Sequence, residues 1–196
     1  MRLAKAVLLC FLLSISFLMA GCVQQAPQAY FRDRSGMYFE FPYGWSRLSK
    51  EEWRERNMGE DRTLVTIMDS ERRAGFSVIP INLSKDAQTA FEVMADTTED
   101  RLSMYIDSLY AAGPSRYQNY IFFNKGTTKF AGLPVGEITF QGRNPGKELK
   151  WYRVLVFALP RRQAAVIMFV FTAPMGKHYS FKKDFEFIED TWKWHD

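Results

Sequence analysis

A chain of 196 residues with 47% hydrophobic and 16% aromatic side chains is long enough for one domain that buries about 70% of its unfolded surface. Its formal net charge of +4 is too mild for a nucleic-acid footprint. Two cysteines and two histidines leave no room for a disulfide scaffold or a His/Cys metal cluster.

Arg2 and Lys5 make a short basic start, and residues 6–20 are apolar except for Ser14 and Ser16. This is the layout of a secretory signal, and the apolar part is shorter than the ~20 residues that span a bilayer. The small residues Ala20 and Gly21 then stand directly before Cys22. The order Met19-Ala20-Gly21-Cys22 resembles the lipobox of bacterial lipoproteins, with Met19 where Leu is usual and Leu18 one place back. The resemblance implies a signal peptide over 1–21 and a diacylglyceryl group on the Cys22 thiol, often with a further acyl chain such as palmitate on the new amino group. Two chains hold a protein firmly to a membrane, whereas one is marginal. An uncleaved anchor and an ordinary signal that happens to contain a cysteine are the other readings. With Cys10 in the removed signal, Cys22 has no internal partner, so the fold rests on its core.

Residues 22–36 are polar and read as the lipidated N-terminus and a tether, and residues 37–196 as a single domain. Met37, Phe39 and Phe41 alternate with Tyr38 and Glu40, which predicts a strand ended by Pro42 and Gly44. Ser49 and Glu52 fit a capping box that opens a short helix over 50–58, with Gly59 as its stop. Residues 63–68 and 76–83 read as a hairpin around DSERRAG.

Ala87, Phe91, Met94, Thr98, Leu102, Tyr105 and Leu109 recur at steps of three or four. They predict a helix over 85–112, capped by Ser84 and ended at Gly113-Pro114. Lys85, Asp86, Glu92, Asp96, Glu99 and Arg101 fit its solvated face. Strands are expected at 117–124, 127–130 and 135–141, separated by NKG and AGLP. GRNPGKE lacks phosphate-loop spacing and reads as a hairpin loop. The strands LKWYRVLVFALP and QAAVIMFVFTAP are apolar on both faces and are joined by Pro160-Arg161-Arg162, which makes them central and antiparallel. Phe181, Phe185, Ile188 and Trp192 form the stripe of a last helix, with Ser180 as a candidate cap.

Three landmarks follow one another in this order: Phe41-Pro42-Tyr43-Gly44-Trp45; Ala131-Gly132-Leu133-Pro134 with Gly136-Glu137; and Phe187-Ile188-Glu189-Asp190-Thr191-Trp192. Over residues 36–195 the chain thereby resembles the PsbP-like fold. That fold is shared by the PsbP protein of photosystem II, a eukaryotic Ran-binding nuclear protein and many small bacterial lipoproteins. Nothing marks the photosynthetic branch in particular. The resemblance implies an α+β architecture: a three-layer α/β/α sandwich, mainly antiparallel sheet covered by helices on both faces. It also implies a non-enzymatic accessory or binding role, with no inherited active site and no cofactor.

Searching for chemistry returns little. Asp184, Glu186, Glu189 and Asp190 cluster in sequence and offer an all-carboxylate cation site, against the plainer reading of a solvated helix face. His178 and His195 lack companions, and the serines stand at caps and turns without a nucleophile elbow. Tyr43, Trp45 and Trp53 are candidates for an aromatic pocket or for corner packing. Arg72-Arg73 and Arg161-Arg162 are candidates for contact with anionic headgroups or for plain solubility. The expected function is docking on an envelope protein partner from a lipid anchor at Cys22; the alternative is a lipid or small apolar ligand held between sheet and helix. Val23 is not the Asp that retains enteric lipoproteins in the inner membrane, so the outer membrane, facing the periplasm, is expected in a double-membraned cell.

Overall fold

The computed structural model of the chain describes residues 29–34, 36–49, 51–52, 63–82, 98–158 and 165–194. Cys22, Trp53, Arg161, Arg162, His195 and most of the 50–58 and 85–97 stretches lie outside the described residues. The elements in chain order are β1 (Tyr30–Arg32), β2 (Met37–Glu40), β3 (Ser46–Arg47), β4 (Val65–Met68), β5 (Gly75–Asn82), α1 (Thr98–Arg116), β6 (Gln118–Phe130), β7 (Leu133–Arg143), β8 (Lys150–Ala158), β9 (Ala165–Pro174), a 3-10 turn (His178–Phe181), α2 (Lys182–Thr191) and β10 (Lys193–Trp194). The architecture is mixed α/β with two antiparallel sheets. One has seven strands in the order β3-β4-β5-β9-β8-β7-β6, and the other has three in the order β1-β2-β10.

The large sheet is wet on neither face near its middle. On β8, Leu155 and Phe157 join a core that includes Phe181, Phe185 and Ile188 of the C-terminal helical segment. Tyr152, Val154 and Val156 join a second core with Leu102, Tyr105 and Ile106 of α1. Alternate side chains of one strand thus reach two different helices, as the period of two requires. The first core is aromatic at its centre. Phe76 has the rings of Phe39, Phe169 and Phe171 at 5.1, 5.3 and 4.7 Å between centroids. Each such pair adds about 0.5–1.5 kcal/mol to what area burial gives.

Several sequence-based expectations need correction. Residues 30–32 are not tether: they form β1, with Phe31 opposite Phe39 and buried. Residues 117–130 do not make two strands: β6 runs unbroken through Asn124-Lys125-Gly126, whose partners on β7 are Thr139, Ile138 and Glu137. That tripeptide is polar because it is exposed on an edge strand, which is a property it shares with turns. Nor does α1 stop at Gly113-Pro114; it continues to Arg116 with Pro114 inside its last turn. Gly113 answers a close approach, since a Cβ there would stand 2.4 Å from the Tyr120 ring. Ser180 does not cap α2, which follows directly on the 3-10 turn with Phe181 at its N-cap position and no side-chain cap bond.

Other local readings hold. The Ser49 amide donates to Glu52 Oε2 at 2.9 Å and the Glu52 amide to Ser49 Oγ at 3.1 Å, both halves of a capping box. Gly44 has φ +78° in the turn closed by the Trp45 amide donating to the Pro42 carbonyl at 3.0 Å. That conformation suits glycine.

The seat of α1 on the sheet generates a prediction. A Cβ on Gly136 would meet Ile106 Cγ1 at 2.7 Å and the Leu102 carbonyl oxygen at 3.2 Å. Gly136→Ala therefore has to push α1 outward, and overpacking of this kind costs about 1–3 kcal/mol. In a domain of this size that is a melting temperature lower by roughly 2–12 °C, measured by circular dichroism.

Candidate interaction surface

Arg153 is the charged side chain among the β8 residues that face α2. Its Nε donates to Glu137 Oε1 on β7 and its Nη1 to Glu189 Oε1 on α2. The guanidinium also lies 5.7 Å from the centroid of the Phe171 ring. The three charged side chains are each only 19–22% exposed. One cation thus ties two strands and a helix together, using the fixed fork geometry of the guanidinium.

The charge balance of this cluster is one positive against two negative. Burial works against the Arg153 charge, but Glu189 and Glu137 outweigh it and hold its pKa above the ordinary value. Burial pushes the Glu189 carboxyl above its usual range, and Arg153 opposes that only in part. The cluster is a clamp with its cation fully engaged.

The other acidic candidates do not converge. Asp184 accepts a hydrogen bond from Trp45 Nε1 at 3.2 Å, and burial raises its pKa. Glu186 pairs with Lys182 at 3.6 Å at the surface, and Asp190 is exposed. Among the described residues no group of three His, Cys, Asp or Glu is placed to hold a metal ion. His178 stacks on Trp151 with 4.9 Å between centroids and 11° between planes, and burial lowers its pKa, which favours the neutral ring.

Of the aromatic candidates, the two described residues, Tyr43 and Trp45, do not share a wall. Tyr43 is 96% exposed at its turn, while Trp45 is buried against Phe185 with centroids 6.1 Å apart. Arg72 and Arg73 are both engaged: Arg72 pairs with Glu52 at 3.0 Å and donates to Ser46 Oγ at 2.8 Å, and Arg73 reaches Asp69 and Glu71.

Strand β6 offers what the helix face does not. It is the outermost strand of the large sheet, so its outer row of backbone N–H and C=O groups has no strand partner among the described residues. Phe122 turns in against Tyr110, with centroids 4.8 Å apart. Its neighbours Ile121 and Phe123 are 52% and 46% exposed. The register shifts on both sides of Ile121 and Phe122, and Asn119 has φ +53°. Such bulges commonly mark sheet edges and re-aim side chains. Further along, Lys125 bonds Asp107 at 2.5 Å and lies over the Tyr110 ring at 4.8 Å.

Two of these features escaped the sequence reading. A lone Arg inside the apolar run Trp151-Tyr152-Arg153-Val154 is a signal for a half-buried ion pair, because a strand covered on both faces leaves it little water. The run Tyr120-Ile121-Phe122-Phe123 is too apolar for an exposed edge, and its excess is the signal for a contact surface.

No family model and no curated protein matches the chain. Solved structures do. The cyanobacterial PsbP protein of Synechocystis superposes with a TM-score of 0.55 at 16% identity, covering 89% of this chain and 96% of its own. LpqN of Mycobacterium tuberculosis, described as involved in cell envelope biogenesis, gives 0.54 at 9% identity over 87% of this chain and 86% of its own. The Ran-binding protein Mog1p of Saccharomyces cerevisiae gives 0.51 at 7% identity over 86% of this chain and 96% of its own. At these identities the likeness shows the fold, which is PsbP-like.

The clamp carries two predictions. Arg153→Met leaves two half-buried carboxylates facing each other and lowers unfolding stability by about 1–3 kcal/mol at pH 7. Urea midpoints should show that loss largely recovered in Arg153→Met/Glu137→Leu/Glu189→Leu. The second concerns pH. Because the folded Glu189 binds its proton more tightly than the unfolded chain does, its contribution is most favourable below the ordinary Glu pKa. It declines as pH rises through the raised folded value. Glu189→Gln removes that decline, so the stability difference between variant and wild type grows in the variant's favour from pH 4 to pH 7.

Proposed function

We propose that this chain is a non-enzymatic accessory lipoprotein of the bacterial envelope, anchored through Cys22 and docking on a protein partner. Its single domain is read as a three-layer α/β/α sandwich. The observation that carries the docking part is β6. An outermost strand whose outer backbone row has no strand partner among the described residues, with two half-exposed apolar side chains, Ile121 and Phe123, is suited to receive an added strand or a flat apolar patch from another protein. Natural edges of this kind are normally blunted or covered.

The non-enzymatic part rests on the polar groups. Arg153 is locked between two carboxylates, Asp184 is tied to Trp45, and His178 lies flat on Trp151. None of them forms a nucleophile-base pair. The fold is shared with one protein described as Ran-binding and another described as involved in cell envelope biogenesis, which supports a binding role in the envelope. The envelope address comes from the lipobox, and Val23 favours the outer membrane, facing the periplasm, in a double-membraned cell. A ligand held between sheet and helix beside Trp45 is the weaker reading, since Trp45 is itself packed into that space against Phe185.

Cross-linking in intact membranes followed by mass spectrometry tests the proposal. Wild type should capture one envelope protein repeatedly. Ile121→Asp/Phe123→Asp should lose it by about tenfold or more, as expected for an apolar hot spot, with an unchanged melting temperature. Capture that is indifferent to these substitutions, or no recurrent partner, overturns it.

A further inference from the structure

One end of the large sheet gathers three loops. Lys150 pairs with Pro174 across β8 and β9, and the Lys150 ammonium donates to the Arg73 carbonyl at 3.4 Å. The Arg73 guanidinium lies over Phe181, 5.8 Å from its centroid, and Trp151 stacks on His178. Loops 69–75, 143–150 and 174–183 therefore share one end of the molecule. The exposed charges on these loops that lack an ion pair are Lys147, Lys177 and Lys183 against Glu148.

The N-terminal stretch enters beside this end, along α2: the Glu40 amide bonds Thr191 in the last turn of that helix, and the chain then leads to its first turn. The Ala29 carbonyl accepts from the Phe41 amide at 2.7 Å, the turn Pro42-Tyr43-Gly44-Trp45 follows, and Trp45 bonds Asp184 in the first turn of α2. Three tyrosines are exposed on these segments: Tyr43 at 96% in that turn, Tyr179 at 76% beside His178 and Tyr30 at 61% at the start of β1. Tyrosine is a side chain that membrane interfaces favour, apolar in body and polar at its tip.

With β1 part of the fold, the connection from Cys22 ends at Ala29. Seven residue steps reach at most about 25 Å. A domain of this size is about 40 Å across. Chain length alone thus keeps the entry end close to the headgroups, and the far end of the sheet is out of reach.

We propose that the end of the domain built from loops 69–75, 143–150 and 174–183, with Tyr43 and Tyr179 beside it, lies against the anionic headgroup surface of the bilayer. The proposal rests on the reading that Cys22 carries the lipid. Lys147, Lys177 and Lys183 supply attraction that acts within a Debye length of about 8 Å, and the short tether keeps this end near enough to the surface to sample that distance. The orientation leaves the β6 edge pointing sideways, open to a neighbour in the same membrane.

The test uses the full-length processed protein reconstituted into vesicles that carry a headgroup-attached quencher lipid. A dye is placed at Tyr179→Cys or, at the opposite end of the sheet, at Leu133→Cys. Intact mass in the same sample reads the acyl groups on Cys22. On vesicles with phosphatidylglycerol the dye at 179 should be quenched about threefold more than at 133. The difference should shrink on neutral vesicles, in about 0.5 M salt, and in Lys147→Glu/Lys177→Glu/Lys183→Glu. Acylated protein with equal or charge-insensitive quenching overturns this inference and leaves the anchor standing. Absence of acyl mass overturns the anchoring reading and this inference with it. Capture of a protein, not lipid, by a photo-cross-linker at 179 in native membranes also overturns it.

Discussion

Strand β8 buries side chains on both of its faces, β9 buries one face and half-buries the other, and a sheet with such central strands has to be covered twice. Most of the molecule follows from that constraint. Leu155, Phe157, Phe169 and Phe171 require the aromatic layer that α2 and the small sheet supply through Phe39, Phe185 and Trp192. Tyr152, Val154 and Val156 require α1 on the other side. Arg153 is the exception among these positions, and it is tolerated because Glu137 and Glu189 arrive from two different elements to meet it. Half-buried charge pairs of this kind add little net stability, because the cost of removing the charges from water offsets their attraction. Their contribution here is to the placement of α2 on the sheet.

What the residues reveal without coordinates is divided along a physical line. The hydrophobic period exposes elements that bury a face: the two-sided run of β8 and β9, the stripe Phe181-Phe185-Ile188-Trp192, and the Ser49–Glu52 capping box with its local side-chain signature. It is silent where an element is held by something other than its own pattern. Strand β1 has three residues, and only Phe31 among them is buried. The middle of β6 is polar because it is an edge, and Gly113-Pro114 reads as a stop although the glycine only makes room for Tyr120. The candidate site divides in the same way. The carboxylates of α2 are adjacent in sequence but point to different partners, and adjacency carries no information about direction around a helix.

The molecule is asymmetric in two respects that bear on its proposed role. Its basic, tyrosine-bearing end lies beside the entry of the N-terminal stretch, and its edge strand, with the apolar pair Ile121 and Phe123, is on the flank. A tether that spans less than the domain's width turns the first feature toward the membrane, and the second is then presented along it. In this account, lipid, short linker and edge strand are parts of one device that positions a binding strand at a fixed height.

Hydrogen–deuterium exchange on the protein in its native membranes, compared with the same protein purified in detergent, tests the central claim of a β6 docking edge. Amides of β8 and β9 should exchange slowly in both, since their bonds are internal to the sheet. Amides on the outer edge of β6 should be protected in native membranes and lose that protection on purification. Equal exchange of 118–130 in the two samples, with β8 and β9 unchanged, would contradict the account.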